Sequence, residues 1–224
     1  MAGTTWRNLA AKNPPAAAWL LSAAVIGVAV VAWGQTWRWH LAGLTTYQIF
    51  PVIGLVAFST MWAQYAVAEL GKYLAMSGDR LAGYFRATGF IVLAAIALHP
   101  GLLIWQLWRD GFGLPPGSYL DHFVAPGLRW VALIGTVCFF IFLAYELRYK
   151  FGRRPWWRYM DYLIDAAMLA IFYHGLRLGT QTSGGWFHAV WIFYGVTLLS
   201  LLAHKYYKLA RRKEAESRLG SSEI

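Results

Sequence analysis

Six apolar runs, each long enough to cross a bilayer, leave this chain of 224 residues little freedom to fold as anything but a membrane bundle. They lie at about Ala16–Trp33, Tyr47–Ala68, Ala87–Trp108, Phe123–Tyr145, Asp161–Leu178 and Trp186–Tyr207. Each comes to roughly 18–23 residues, the length that spans a hydrocarbon core of about 30 Å at about 1.5 Å per residue. Lipid offers no partner to backbone N–H and C=O groups, so helices that satisfy them internally are the expected form. With 58% hydrophobic and 13% charged residues, and 13 each of Trp, Tyr and Phe, the chain can supply apolar faces and aromatic belts. The expectation is an all-α, six-transmembrane-helix bundle over residues 16–207, with tails at 1–15 and 208–224, short loops and no soluble domain. The first run reads as a span rather than a signal peptide: it is long, and polar Thr4–Asn13 and the helix-opening Pro14-Pro15 precede it.

Basic residues set the expected orientation. Arg7 and Lys12 lie before the first run, Lys72, Arg80 and Arg86 follow the second, and Arg148, Lys150, Arg153, Arg154 and Arg158 follow the fourth. Lys205, Lys208, Arg211, Arg212 and Lys213 close the chain. The alternate connections hold mainly Arg38, Arg109 and Arg129, beside Asp110 and Asp121. By the positive-inside rule both termini are cytoplasmic. The same placement accounts for the net charge of +10 without nucleic acid, since the cations sit where topology and anionic lipid want them. An acidic cytoplasmic partner is the other candidate for that charge.

One cysteine, Cys138, excludes an internal disulfide and a CxxC redox pair. No nucleotide-binding glycine fingerprint or Walker-type loop occurs, and the glycine-rich Gly111–Gly117 reads as a turn between helices.

Against this background two histidines stand out. His99 lies twelve residues into the third run and His174 thirteen into the fifth. An imidazole in hydrocarbon needs a partner, and both runs head outward, so the two should reach similar depth in the outer half. Two imidazoles on facing helices are the axial ligand set of a buried haem. Small residues that would admit a flat macrocycle surround them: Ala94, Ala95, Ala97 and Gly101 near His99, Ala170 and Gly175 near His174. Pro100 is placed to bend the third helix. The alternative is that each histidine bonds a backbone carbonyl or a neighbouring helix and does nothing more.

The segments RATGFIVLAAIALHPGLL (Arg86–Leu103) and WRYMDYLIDAAMLAIFYHGLRLG (Trp157–Gly179) resemble the ferric reductase-like transmembrane domain. That family includes ferric reductases, NADPH oxidases and the haem-binding membrane subunit of bacterial methionine sulfoxide reductase systems. The resemblance covers roughly residues 45–207. It implies a six-helix core in which the third and fifth helices carry haem ligands, inner and outer, in a bacterial inner or plasma membrane. His99 and His174 match the outer ligand positions. Fourteen residues before His99 stands Phe85, although Arg86 and Gly89 keep the family's pattern, and thirteen before His174 stands Asp161. Both inner ligands are absent together, which implies one haem b, on the outer side, with the vacated inner site open to a quinone or flavin.

Other polar residues carry weaker expectations. Asp161 is placed to pair with Arg86 across the vacated site. Asp165 shares its helical face, and the two carboxylates suit a proton relay, a quinol hydroxyl, or neutralisation of Arg86 and Lys72. Arg177, one turn beyond His174, suits a haem propionate or an ordinary interfacial role. His188 is a substitute ligand, a surface site or an interfacial residue beside Trp186 and Trp191; His40, His122 and His204 carry no expected chemistry. Glu69 should pair with Lys72. The leading expectation is a single-haem b-type cytochrome passing electrons from a partner flavoprotein or quinol. The vacated inner site leaves a gap of roughly 21 Å of helix rise in that path. A structural subunit of a larger membrane complex is the alternative.

Overall fold

Pro14 and Pro15, which lack the N–H groups that a helix start leaves unpaired anyway, open α1 (Pro14–Thr36). In this computed structural model, which describes residues 13–73, 78–145 and 152–220, the chain continues with α2 (Thr46–Tyr73) and α3 (Gly78–Arg109). A short α4 (Gly117–His122) and a single 3₁₀ turn (Pro126–Leu128) lead to α5 (Arg129–Tyr145), α6 (Trp157–Leu178) and α7 (Gly185–Gly220). No strand occurs among the described residues. Arg7, Lys12, Arg148 and Lys150, used above for orientation, lie outside them.

Five of these helices are long and apolar enough to cross a membrane: α1, α2, α3, α5 with its preceding turn, and α7. The chain is therefore an all-helical, multi-pass membrane protein. Helix α6 has the length, 22 residues, but Arg158, Asp161, Asp165 and Arg177 lower its apolarity. The fourth run also starts later than expected, because Pro126 and Gly127 hold residues 126–128 in the 3₁₀ turn. Pro100 lies inside α3 and Pro51 inside α2, and neither interrupts its helix. Helix α7 does not stop where the apolar run ends but continues to Gly220.

Helix α2 is the hub. Of its apolar window 56% is buried, against 33% or less in the other four, and it packs on α1, α3, α6 and α7. Outer faces carry bare hydrophobics such as Phe90, Phe140 and Val196, as lipid-facing helices do. Polar side chains stitch the helices where lipid gives no hydrophobic drive to associate. Ser22 bonds Tyr84 at 2.8 Å between α1 and α3, and the Trp62 indole donates to Thr197 at 2.9 Å between α2 and α7. Phe58, Phe172, Trp191 and Tyr194 form an aromatic wedge between α2, α6 and α7, with Phe58 and Trp191 centroids 4.4 Å apart. The turn Gly111–Gly117 is as expected, with Gly111 and Gly113 at φ +86° and +80°, a region that favours glycine.

Candidate functional site

The two histidines are held in the same way on different helices. Helix α3 lays His99 against the start of α2, its Nδ1 2.8 Å from the Phe50 carbonyl oxygen. Helix α6 lays His174 against the start of α5, its Nδ1 2.9 Å from the Val131 carbonyl oxygen. One helical turn beyond each carbonyl stands a glycine, Gly54 or Gly135. A Cβ on Gly54 would come within 2.7 Å of the His99 ring, and one on Gly135 would crowd His174 even more. Each ring thus rests on bare backbone.

Bonding fixes the tautomer. A carbonyl oxygen can only accept, so in the neutral ring Nδ1 carries the proton and Nε2 keeps its lone pair. This is the state in which a histidine ligates iron, with its second nitrogen donating to a backbone carbonyl. Two such imidazoles fit the axial ligand set of a haem. Among the described residues no group of three or more His, Cys, Asp and Glu is placed to hold a bare ion.

The surroundings correct one sequence expectation. Gly175 does not leave room for a macrocycle: a Cβ there would meet the Trp191 indole at 2.5 Å, so that space belongs to the aromatic wedge. Gly101 has open space beside it and is an exposed position. Arg177 is exposed one turn beyond His174 and has no partner among the described residues. His188 bonds the Thr182 carbonyl 2.6 Å away, a local contact at the start of α7. His122 stacks on Phe112, while His40 and His204 are exposed. Cys138 is buried against the Ala167 carbonyl.

At the other end of the bundle a cavity of about 400 Å³ opens among α2, α3, α5, α6 and α7. Phe85 and Asp161, the residues at the vacated ligand positions, both line it. Its walls are apolar, including Val92, Ile96, Phe142 and Met168, and polar groups gather at one end. There Asp165, 3% exposed, receives three hydrogen bonds: from Tyr65 at 2.7 Å, Lys205 at 2.6 Å and Tyr206 at 2.6 Å. A buried carboxylate with one cation and two hydroxyls on it is compensated in the way burial demands. Lys72 pairs with Glu69 at 2.5 Å, as expected.

Two expected pairings are not made. Arg86 is exposed and makes no pair with Asp161, and Asp165 takes its cation from α7 rather than from Arg86 or Lys72. Lys205 was invisible in this role because forty residues and a helix reversal separate it from Asp165. The carbonyl-and-glycine seats were missed for a similar reason: F-P-x-x-G and V-x-x-x-G mark themselves only once the opposing helix is known.

Neither a family model, nor a curated protein, nor a solved structure matches this chain.

Proposed function

We propose that this protein is a b-type membrane cytochrome with a single haem held by His99 and His174. The observation that carries the reading is the matched seating of the two rings, each with Nδ1 tied to a backbone carbonyl and Nε2 left to ligate. Bound there, haem would supply one-electron transfer. The protein's own part is to orient both rings through Phe50 and Val131, to give them backbone clearance through Gly54 and Gly135, and to offer Arg177 to a propionate. Electrons would come from a separate donor, a partner flavoprotein or a quinol, since the chain carries no nucleotide-binding fingerprint. In this reading α6 is a sixth span whose charge at Asp165 is offset by Lys205, both termini are cytoplasmic, and the membrane is a bacterial inner or plasma membrane. The ferric reductase-like resemblance supports the same assignment from the sequence side.

The deciding experiment is an absorption spectrum of detergent-purified protein, oxidised and dithionite-reduced, with haem quantified per chain. One low-spin b-type haem per chain is expected. A colourless protein from haem-replete cells would sink the proposal and favour a structural subunit of a larger complex. That second reading has its own observation: the carbonyl bond already satisfies the N–H of each ring without a ligand.

A further inference from the structure

We infer that the cavity between α2, α3, α5, α6 and α7 holds one phospholipid with a primary-ammonium head group, a phosphatidylethanolamine. The inference stands apart from the cytochrome reading: it needs the bundle and its cavity, not the haem.

Placement comes first. A volume of about 400 Å³ lies in the range of small-ligand sites, and its polar end is where two spans stop. Lys72 closes the apolar stretch of α2, and Tyr145 closes α5. Asp161 lies just past the first turn of α6. This end therefore sits at the level of lipid head groups. Along α3 the lining runs from Phe85 to Ile96, roughly 16 Å of helix rise into the apolar interior. A polar mouth at the boundary and an apolar slot behind it match one lipid, head outside and chain within.

The polar end then selects the head group. Lipid tails are as apolar as the walls, so moving a chain from bilayer to cavity gains little. Discrimination falls to the polar contacts. Lys72 donates to Glu69 and Lys205 to Asp165, and each ammonium keeps further N–H donors beyond that bond. Two such cations suit a phosphate. The Asp161 carboxylate is exposed at the mouth and makes no hydrogen bond or ion pair among the described residues. It can only accept, so it suits an ammonium that carries N–H groups. Phosphatidylethanolamine supplies both, a phosphate for the lysines and a primary ammonium for Asp161. Phosphatidylcholine bears the same charges but has no N–H to donate. Phosphatidylglycerol brings net negative charge to a lining already negative, with Glu69, Asp161 and Asp165 against Lys72 and Lys205.

The test uses the full chain in detergent, with native mass spectrometry counting the lipids bound per chain. The three phospholipids, with identical acyl chains, are titrated separately. One phosphatidylethanolamine per chain is expected, held about tenfold tighter than phosphatidylcholine, the worth of one hydrogen bond to a charged group. Asp161→Leu should erase that preference, and Lys72→Met should weaken both lipids about tenfold. Gly89→Phe projects a ring into the cavity from a position with open space around its Cβ, and should abolish retention. Gly27→Val, with equally open space away from this cavity, should not. Thermal unfolding of each variant separates lost binding from lost fold, and Asp161→Leu, at an exposed position, carries the test if Gly89→Phe does not fold. Equal affinity for phosphatidylethanolamine and phosphatidylcholine overturns the inference, as does retention that survives Gly89→Phe. Tightest binding of phosphatidylglycerol overturns it in favour of a site made by the lysines alone. A quinone retained in the lipid's place overturns it too, and so does full displacement by glycerophosphoethanolamine, the head group without its chains.

Discussion

The two ends of this bundle solve the same problem with opposite means. At the histidine end, two neutral rings sit on backbone, each bonded to a carbonyl beside a glycine. At the cavity end, charge is met with charge: Asp165 holds Lys205 and two tyrosines, and Glu69 holds Lys72. The first arrangement bonds Nδ1 of each ring and leaves Nε2 free to take a ligand if one is bound. The second meets a buried carboxylate with one cation and two hydroxyls brought from two other helices. Polar groups in an apolar bundle are therefore informative less by their presence than by which of their bonds remain unmade.

The sharpest way to break this contrast is to remove a ring. His99→Ala or His174→Ala should reduce haem content to background, while His188→Ala, whose ring is tied to Thr182, should retain a full complement by pyridine haemochrome assay. Retention of low-spin haem in His99→Ala would remove the ligand assignment. A subtler blow falls on the seats. Gly54→Leu and Gly135→Leu put a side chain where a ring now lies, and each should lose most of its haem or convert it to high spin, whereas Gly27→Ala should not.

At the cavity end the expected effects are on stability. Lys205→Met leaves Asp165 buried with only two hydroxyls. Loss of one partner of a buried pair costs about 3–5 kcal/mol, and the lysine's partial exposure should bring this to about 2 kcal/mol. Tyr206→Phe, which removes one hydrogen bond of three, should cost about 1 kcal/mol. Thermal unfolding in detergent would rank the two, and the reverse order would mean that the phenols rather than the lysine compensate the carboxylate. Smallest of all is the loop beyond α3. Hydrogen bonds from Gln106 and Tyr47 hold the Asp110 carboxyl below its ordinary range. A depressed carboxyl stabilises the native state above its unfolded pKa, near 4, and that contribution fades as pH falls through the lower native value. Asp110→Asn should flatten the acid limb of a stability–pH profile slightly and leave neutral pH nearly unchanged.

How much of this was legible in the chain depends on the range of the interaction. Apolar runs and the Pro14-Pro15 start are local, and the helices appear where those features put them. Glu69 and Lys72 are three residues apart on one helix, so their pairing could be read directly. The histidines could be singled out because a lone imidazole in an apolar run is anomalous wherever it ends up. What they rest on could not, since a carbonyl is present at every position and a glycine in a membrane helix has many uses. The expected Arg86–Asp161 pair is not made; both residues are exposed, which periodicity alone did not settle. Asp165 found its cation on a helix that sequence distance made remote.

Because each ring is bonded to the peptide group of its neighbour, the acceptor survives nearly any substitution at Phe50 or Val131. A scan that exchanged side chains one at a time along α2 and α5 would pass over both contacts and report those helices as bystanders. Half of the histidine site is written in the main chain, and only the glycines would betray it.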